Sequence, residues 1–184
     1  ILQVTVVANP TSFAVTGGGA FCTGGAGVVV GLNSSASGVS YQLMLGATSI
    51  GTPVAGTGSA VSFGDQNGAG SYTVVATNTA VCSQSMNGSA IITVNTVPTA
   101  YQVNGGGSYC SGGSGVAIGL NNSSSAVNYQ LMFGPTAIGT PVAGTGSAIS
   151  FGNQPGAGTY TVIATNASGC SKTVTDSGRV TNHG

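Results

Sequence analysis

Sliding the chain along itself by 88 residues places GGGAFCTGGAGVVVGLN (17–33) on GGGSYCSGGSGVAIGLN (105–121) without a gap. The register then holds: YQLMLGATSIGTPVAGTGSAVSFG (41–64) falls on YQLMFGPTAIGTPVAGTGSAISFG (129–152), and GAGSYTVVATN on GAGTYTVIATN. Solenoid units repeat every 20 to 50 residues or so, whereas this period is that of a whole small domain repeated in tandem. The expected organisation is therefore a leading segment over 1–10, one repeat over 11–98 and a second over 99–184.

Within a repeat the apolar letters come in short runs of period two: GVVVGL, VSYQLML, TSIGTPV, SAVSFG, SYTVVATN and SAIITV. Each is bounded by Gly, Asn or Ser, the signature of strands joined by turns. Alanine never recurs at helical spacing, and Val, Thr, Ile and Tyr favour a pleated, half-buried surface. With a leading strand near 11–16, each repeat holds about seven strands in fewer than 90 residues, the pattern of an immunoglobulin-like sandwich. The fold class expected is all-β: two tandem immunoglobulin-like β-sandwich domains preceded by a single extra N-terminal strand. GAGSY and GAGTY put Tyr72 and Tyr160 where sandwiches place a corner tyrosine whose hydroxyl bonds back to the chain. There is no tryptophan, so the core must rest on Val, Ile, Leu, Met and Tyr.

Charged residues make up 2% of the chain, against a typical quarter, yet 41% is apolar and the net charge is zero. That combination folds, because disorder pairs low hydrophobicity with high net charge. Without a basic stripe there is nothing to displace counterions from phosphate, so no nucleic-acid partner is expected, and an anionic membrane surface is excluded on the same ground. No apolar run approaches the roughly 18 residues of a membrane span. The start of the sequence shows neither an initiator Met nor a signal-like segment, which reads as a processed chain.

Four cysteines in a chain otherwise poor in reactive groups point to an extracellular, oxidising location. Cys22 and Cys110 precede the second strand of each repeat, and Cys82 and Cys170 follow ATN at the same spacing. The symmetric pairing is Cys22 with Cys82 and Cys110 with Cys170, each bridge contributing about 4 kcal/mol in chain-entropy terms. A metal site needs clustered Cys and His, and His183 lies outside the repeat, so no metal and no cofactor is expected.

Acid–base catalysis needs paired carboxylates, but Asp65 becomes Asn153 in the second repeat and Asp176 falls on Gly88, so no enzyme is expected. Two isolated Asp do not make a calcium site either. GTPVAGTG (51–58 and 139–146) is glycine-rich but lacks a lysine and a following helix, so it reads as a turn and not a phosphate cradle. Thr- and Ser-rich faces leave surface glycans or other cells as conceivable partners, although no Trp can stack a sugar ring. NSS, NGS, NNSS and NAS match the Asn-glycosylation sequon, which would mark exposed loops.

C-S-G-G-S-G at 110–115, Y-Q-L at 129–131 and G-T-Y-T-V-I-A-T-N followed by Cys170 resemble the tandem immunoglobulin-like repeats of giant secreted surface proteins of gliding and adhesive Bacteroidota. The resemblance covers nearly the whole chain and implies secretion by a type IX system and a role as adhesin or surface filament.

The same offset carried backwards sets residues 1–10 on SAIITVNTVP (89–98), with Pro10 on Pro98. The chain thus opens on a last strand without its domain. Alternation puts Leu2, Val4 and Val6 on one face; the equivalents are Ala90, Ile92 and Val94, then Gly178, Val180 and Asn182, where two of three apolar contacts are lost. Three readings follow. The strand completes the C-terminal domain of a neighbouring copy, giving a head-to-tail homopolymer by strand addition. Alternatively, the chain is a stretch of a longer array of spacer, adhesive or carbohydrate-binding repeats, or the strand folds back on its own first domain.

Overall fold

The computed structural model describes residues 4 and 6–184. They form two compact units, Ile1–Asn95 and Thr96–Gly184. Unit 1 holds β1 (Val15–Gly17), β2 (Gly19–Cys22), β3 (Val28–Leu32), β4 (Val39–Leu45), β5 (Thr48–Ala55), β6 (Val61–Gln66), β7 (Gly70–Asn78), β8 (Ser83–Ser85) and β9 (Ala90–Asn95). Unit 2 repeats them as β10 (Val103–Gly105), β11 (Gly107–Cys110), β12 (Val116–Leu120), β13 (Val127–Phe133), β14 (Thr136–Ala143), β15 (Ile149–Gln154), β16 (Gly158–Asn166), β17 (Ser171–Thr173) and β18 (Gly178–His183). None of the described residues forms a helix.

Each unit is an immunoglobulin-like sandwich. In unit 1 a three-stranded sheet ordered β1-β3-β6 faces a larger one ordered β2-β9-β7-β4-β5, with β8 also on β7; unit 2 has the same two orders. Period-two alternation decides what fills the space between sheets. Tyr41 and Leu43 of β4, and Tyr72, Val74 and Ala76 of β7, are buried, while the residues between them are more exposed. Tyr129, Leu131, Tyr160, Val162 and Ala164 repeat the arrangement in unit 2.

A tyrosine at the centre of a core must have its hydroxyl satisfied. Tyr41 accepts from the Ala36 amide at 2.8 Å, and Tyr129 from the Ser124 amide at the same distance. The corner tyrosines behave as the GxGxY spacing predicts: Tyr72 donates to the Gly68 carbonyl and Tyr160 to the Gly156 carbonyl, both at 2.9 Å. The repeated YQL is explained by a bulge. The β4–β5 register slips between Tyr41 and Leu43, and the Gln42 carboxamide donates to the Leu43 and Ile50 carbonyls at 2.9 Å. Gln130 does the same to Leu131 and Ile138. Gly17 and Gly105 take φ of 91° and 90° where a Cβ would overlap the Val29 or Ala117 carbonyl oxygen, so the GGG runs are steric necessities.

Nine strands per unit stand where about seven are predicted. The additional ones are β2, which pairs only in parallel with β9, and β8, a Ser-Gln-Ser stretch on the edge of β7. The extra N-terminal strand is not seen as a ladder: among the described residues of 1–10, none joins a sheet. Leu2 lies outside the described residues.

The closing strand of unit 2 is sounder than its letters suggest. β18 pairs in parallel with β11 and antiparallel with β16, and Gly178 and Val180 are buried. The expected vacancy is therefore filled. The reason is a compensation across the core: where unit 1 has Val30 and Ala90, unit 2 has Ile118 and Gly178. A Cβ on Gly178 would meet Ile118 Cδ1 at 2.6 Å, so the larger side chain already occupies the space that the glycine gives up. Asn182, by contrast, is exposed.

Gly178→Ala is expected to cost unit 2 about 1–3 kcal/mol by overpacking, and Ile118→Val about 0.5–1.5 kcal/mol. The double variant, which rebuilds the unit 1 pair, should cost less than the sum of the singles. A double-mutant cycle by chemical denaturation measures the coupling, and strict additivity would contradict it.

Candidate functional site

The residues singled out by the sequence gather at the two ends of each unit. The end where the chain enters is built by ATN. In unit 1 the Asn78 side chain accepts from the Cys82 and Ala80 amides at 3.0 Å and donates to the Ala8 carbonyl at 3.0 Å. Asn166 repeats this, accepting from Cys170 and Ser168 and donating to the Thr96 carbonyl at 2.8 Å. One asparagine thus ties the incoming chain to the turn after the longest strand and sets a cysteine beside it. The Cys82 thiol lies 3.9 Å from the Val7 carbonyl.

The opposite end is built by the parallel strand. Cys22 stands in register with Asn95, and the Thr23 amide donates to the Asn95 carbonyl at 2.8 Å. In unit 2, Cys110 stands in register with His183, and the Ser111 amide donates to the His183 carbonyl at 2.9 Å. The Tyr109 hydroxyl is held by the Pro155 carbonyl.

This placement corrects the expected disulfides. Cys82 and Cys110 are free thiols, so neither Cys22–Cys82 nor Cys110–Cys170 is formed; Cys22 and Cys170 are disulfide-bonded. The cause is the length of β7 and β16. Gly70 pairs Ile92 close to Cys22, whereas Asn78 sits by Cys82. Nine extended residues put those ends about 26 Å apart, while a disulfide needs Cα atoms within about 7 Å.

The leading segment is strongly apolar and solvent-facing. Val4 is 82% and Val6 91% exposed, whereas Ile92, the repeat equivalent of Val4, is 2% exposed. Val7 and Val81 are also exposed, so this end of unit 1 carries four of the six large apolar side chains that stand out among the described residues. Val81 has a φ of 64° where unit 2 places Gly169 at 78°. A β-branched residue is thus held in the left-handed region at the step before Cys82, a conformation that disfavours it.

Among the described residues no group of three or more His, Cys, Asp or Glu could hold a metal ion. Asp65 and Asp176 are exposed and lie in different units. A concavity of unit 1 among Val39, Pro53, Ala55 and Thr77 has no aromatic ring on which a sugar could stack.

No protein-family model matches the chain, and no curated protein matches it. Among solved structures it is similar to the fibronectin(III)-like modules of Clostridium thermocellum CbhA, at 12% identity and a TM-score of 0.44, covering 92% of this chain and 95% of that one. It is similar to the human OSCAR ligand-binding domain at 10% identity and a TM-score of 0.36, covering 94% and 97%. A third is Bacteroides ovatus SGBP-B, from a mixed-linkage glucan utilization locus and solved with a mixed-linkage heptasaccharide, at 15% identity and a TM-score of 0.28, covering 88% of this chain and 42% of that one. At these values the likeness extends no further than the architecture.

Alkylation of the monomer without reduction is expected to label Cys110, which is exposed, faster than the half-buried Cys82, and to leave Cys22 and Cys170 unlabelled. Peptide mass spectrometry reads the pattern; label on Cys22 or Cys170 would contradict the assignment.

Proposed function

We propose that the chain is an extracellular structural protein whose copies join head to tail into a surface filament, with the leading segment of one copy laid as a strand in the C-terminal unit of the next. The observation that carries this is the exposure of Val4 and Val6 in a segment whose repeat equivalents in β9 are core residues. An apolar edge of this kind recruits a partner strand, and a second copy offers the slot that fits its pattern.

Because β18 fills that slot, the step is an exchange and not a simple addition. The resident strand brings Gly178 and Val180 to the core, while the incoming one brings Leu2, Val4 and Val6. Ordering one segment while releasing another of similar length roughly cancels in chain entropy, so the difference lies in the side chains. Burying the three incoming ones is worth about 5–8 kcal/mol gross, and Val180 alone about 2 kcal/mol. Leu2 in place of Gly178 would meet only side-chain atoms, Ile118 Cδ1 at 2.6 Å and Val103 Cγ1 at 3.4 Å, which can turn aside. With 2% charged residues, such a junction is nearly indifferent to salt.

Removing residues 1–6, which spares the Val7 and Ala8 carbonyls, is expected to leave both units folded by circular dichroism and to abolish fibres in negative stain. Val4→Asp with Val6→Asp should weaken association by about 100-fold or more, since each buried valine is worth about 1.5–3 kcal/mol. Undiminished fibres from either variant would refute strand exchange.

A further inference from the structure

We propose that Cys110 of one copy and Cys82 of the next form an intermolecular disulfide that locks the head-to-tail junction, an inference that rests on the end-to-end reading above. The two free thiols stand at complementary places. Cys82 lies at the end of unit 1 where the leading segment enters, its sulfur next to the Val7 carbonyl. Cys110 lies beside His183, in register with the last residue of β18, the strand that the leading segment of a neighbour would replace.

The repeat supplies an independent observation. Cys22 is the equivalent of Cys110 and Cys170 that of Cys82, and these two are disulfide-bonded. Cys22 sits by Asn95, the last residue of unit 1, and Cys170 belongs to the turn that Asn166 ties to Thr96, the first residue of unit 2. Where one repeat follows another along the chain, the cysteine of the leaving end and the cysteine of the entering end are thus both oxidised. Cys110 and Cys82 are the same two positions with no covalent neighbour to follow or precede them in the described chain, and a leftover thiol in an oxidising compartment points to pairing between molecules.

The step is an oxidation, and a small disulfide such as oxidised glutathione serves as acceptor. The Cys110 thiolate attacks one glutathione sulfur and displaces a glutathione thiolate, leaving a mixed disulfide. The Cys82 thiolate of the next copy attacks the Cys110 sulfur and displaces the second. One S–S bond forms and one breaks; two protein thiols are oxidised, and two glutathiones leave with the two protons.

The test uses the full chain treated with oxidised glutathione and run on a non-reducing gel. Wild type is expected to give a ladder that collapses on reduction, while Cys82→Ser and Cys110→Ser each lose every species larger than a dimer. Mixing the two variants should restore a cross-linked dimer in which mass spectrometry of peptic peptides joins Cys82 to Cys110. A ladder that persists in either variant, or thiols found in other pairings, would overturn the proposal. If the reduced chain makes fibres that yield no Cys82–Cys110 peptide on oxidation, the disulfide falls and strand exchange stands. A chain that stays monomeric whether reduced or oxidised overturns both.

Discussion

Each unit depends on how its final strand is gripped. β9 is hydrogen-bonded on one edge to the parallel strand β2 and on the other to the antiparallel strand β7, and β18 is held in the same way by β11 and β16. A strand paired on both edges leaves few backbone groups unsatisfied and buries alternate side chains whatever their size. That is why Gly178 suffices where Ala90 stands, provided Ile118 fills the difference. The slot reads backbone first and side chains second, and a further segment of the same pattern is compatible with it.

The grip also fixes the chemistry at the unit ends. The parallel strand runs alongside the final one, so its last residue, Cys22 or Cys110, arrives where the chain leaves the unit. The asparagine of ATN does the converse, bringing Cys82 or Cys170 to the incoming chain. With almost no charge to spend, the protein positions its ends by ladders, asparagine clips and thiols. Val81, in a conformation that its unit 2 counterpart gives to glycine, keeps an apolar side chain at the end where Val4, Val6 and Val7 are exposed. Strain of that sort at a surface turn marks a place where function outweighs local comfort.

Much of this was legible in the letters. Period-two runs located the long strands and their inward faces, and GxGxY located the corner tyrosines, because burial alternation and a four-residue hydroxyl reach are local. β8 was hidden because Ser-Gln-Ser shows no alternation, and β2 because GAFC owes its strand to a partner more than 70 residues away in sequence. The within-repeat disulfides fail for the same reason: equal spacing in a repeat cannot tell opposite ends of a unit from one end, and only the parallel pairing of β2 places Cys22 away from Cys82. The weak look of 177–184 misled because its compensation, Ile118, lies 60 residues upstream on another strand.

The central claim is that one strand slot can hold either the resident or the visiting segment. Amide hydrogen exchange on assembled against monomeric protein tests it directly. Strand exchange predicts that assembly protects the amides of residues 1–7 while those of Gly178–His183 lose the protection that the β11 and β16 ladders give them in the monomer. Assemblies in which Gly178–His183 stay protected and residues 1–7 exchange freely would contradict it.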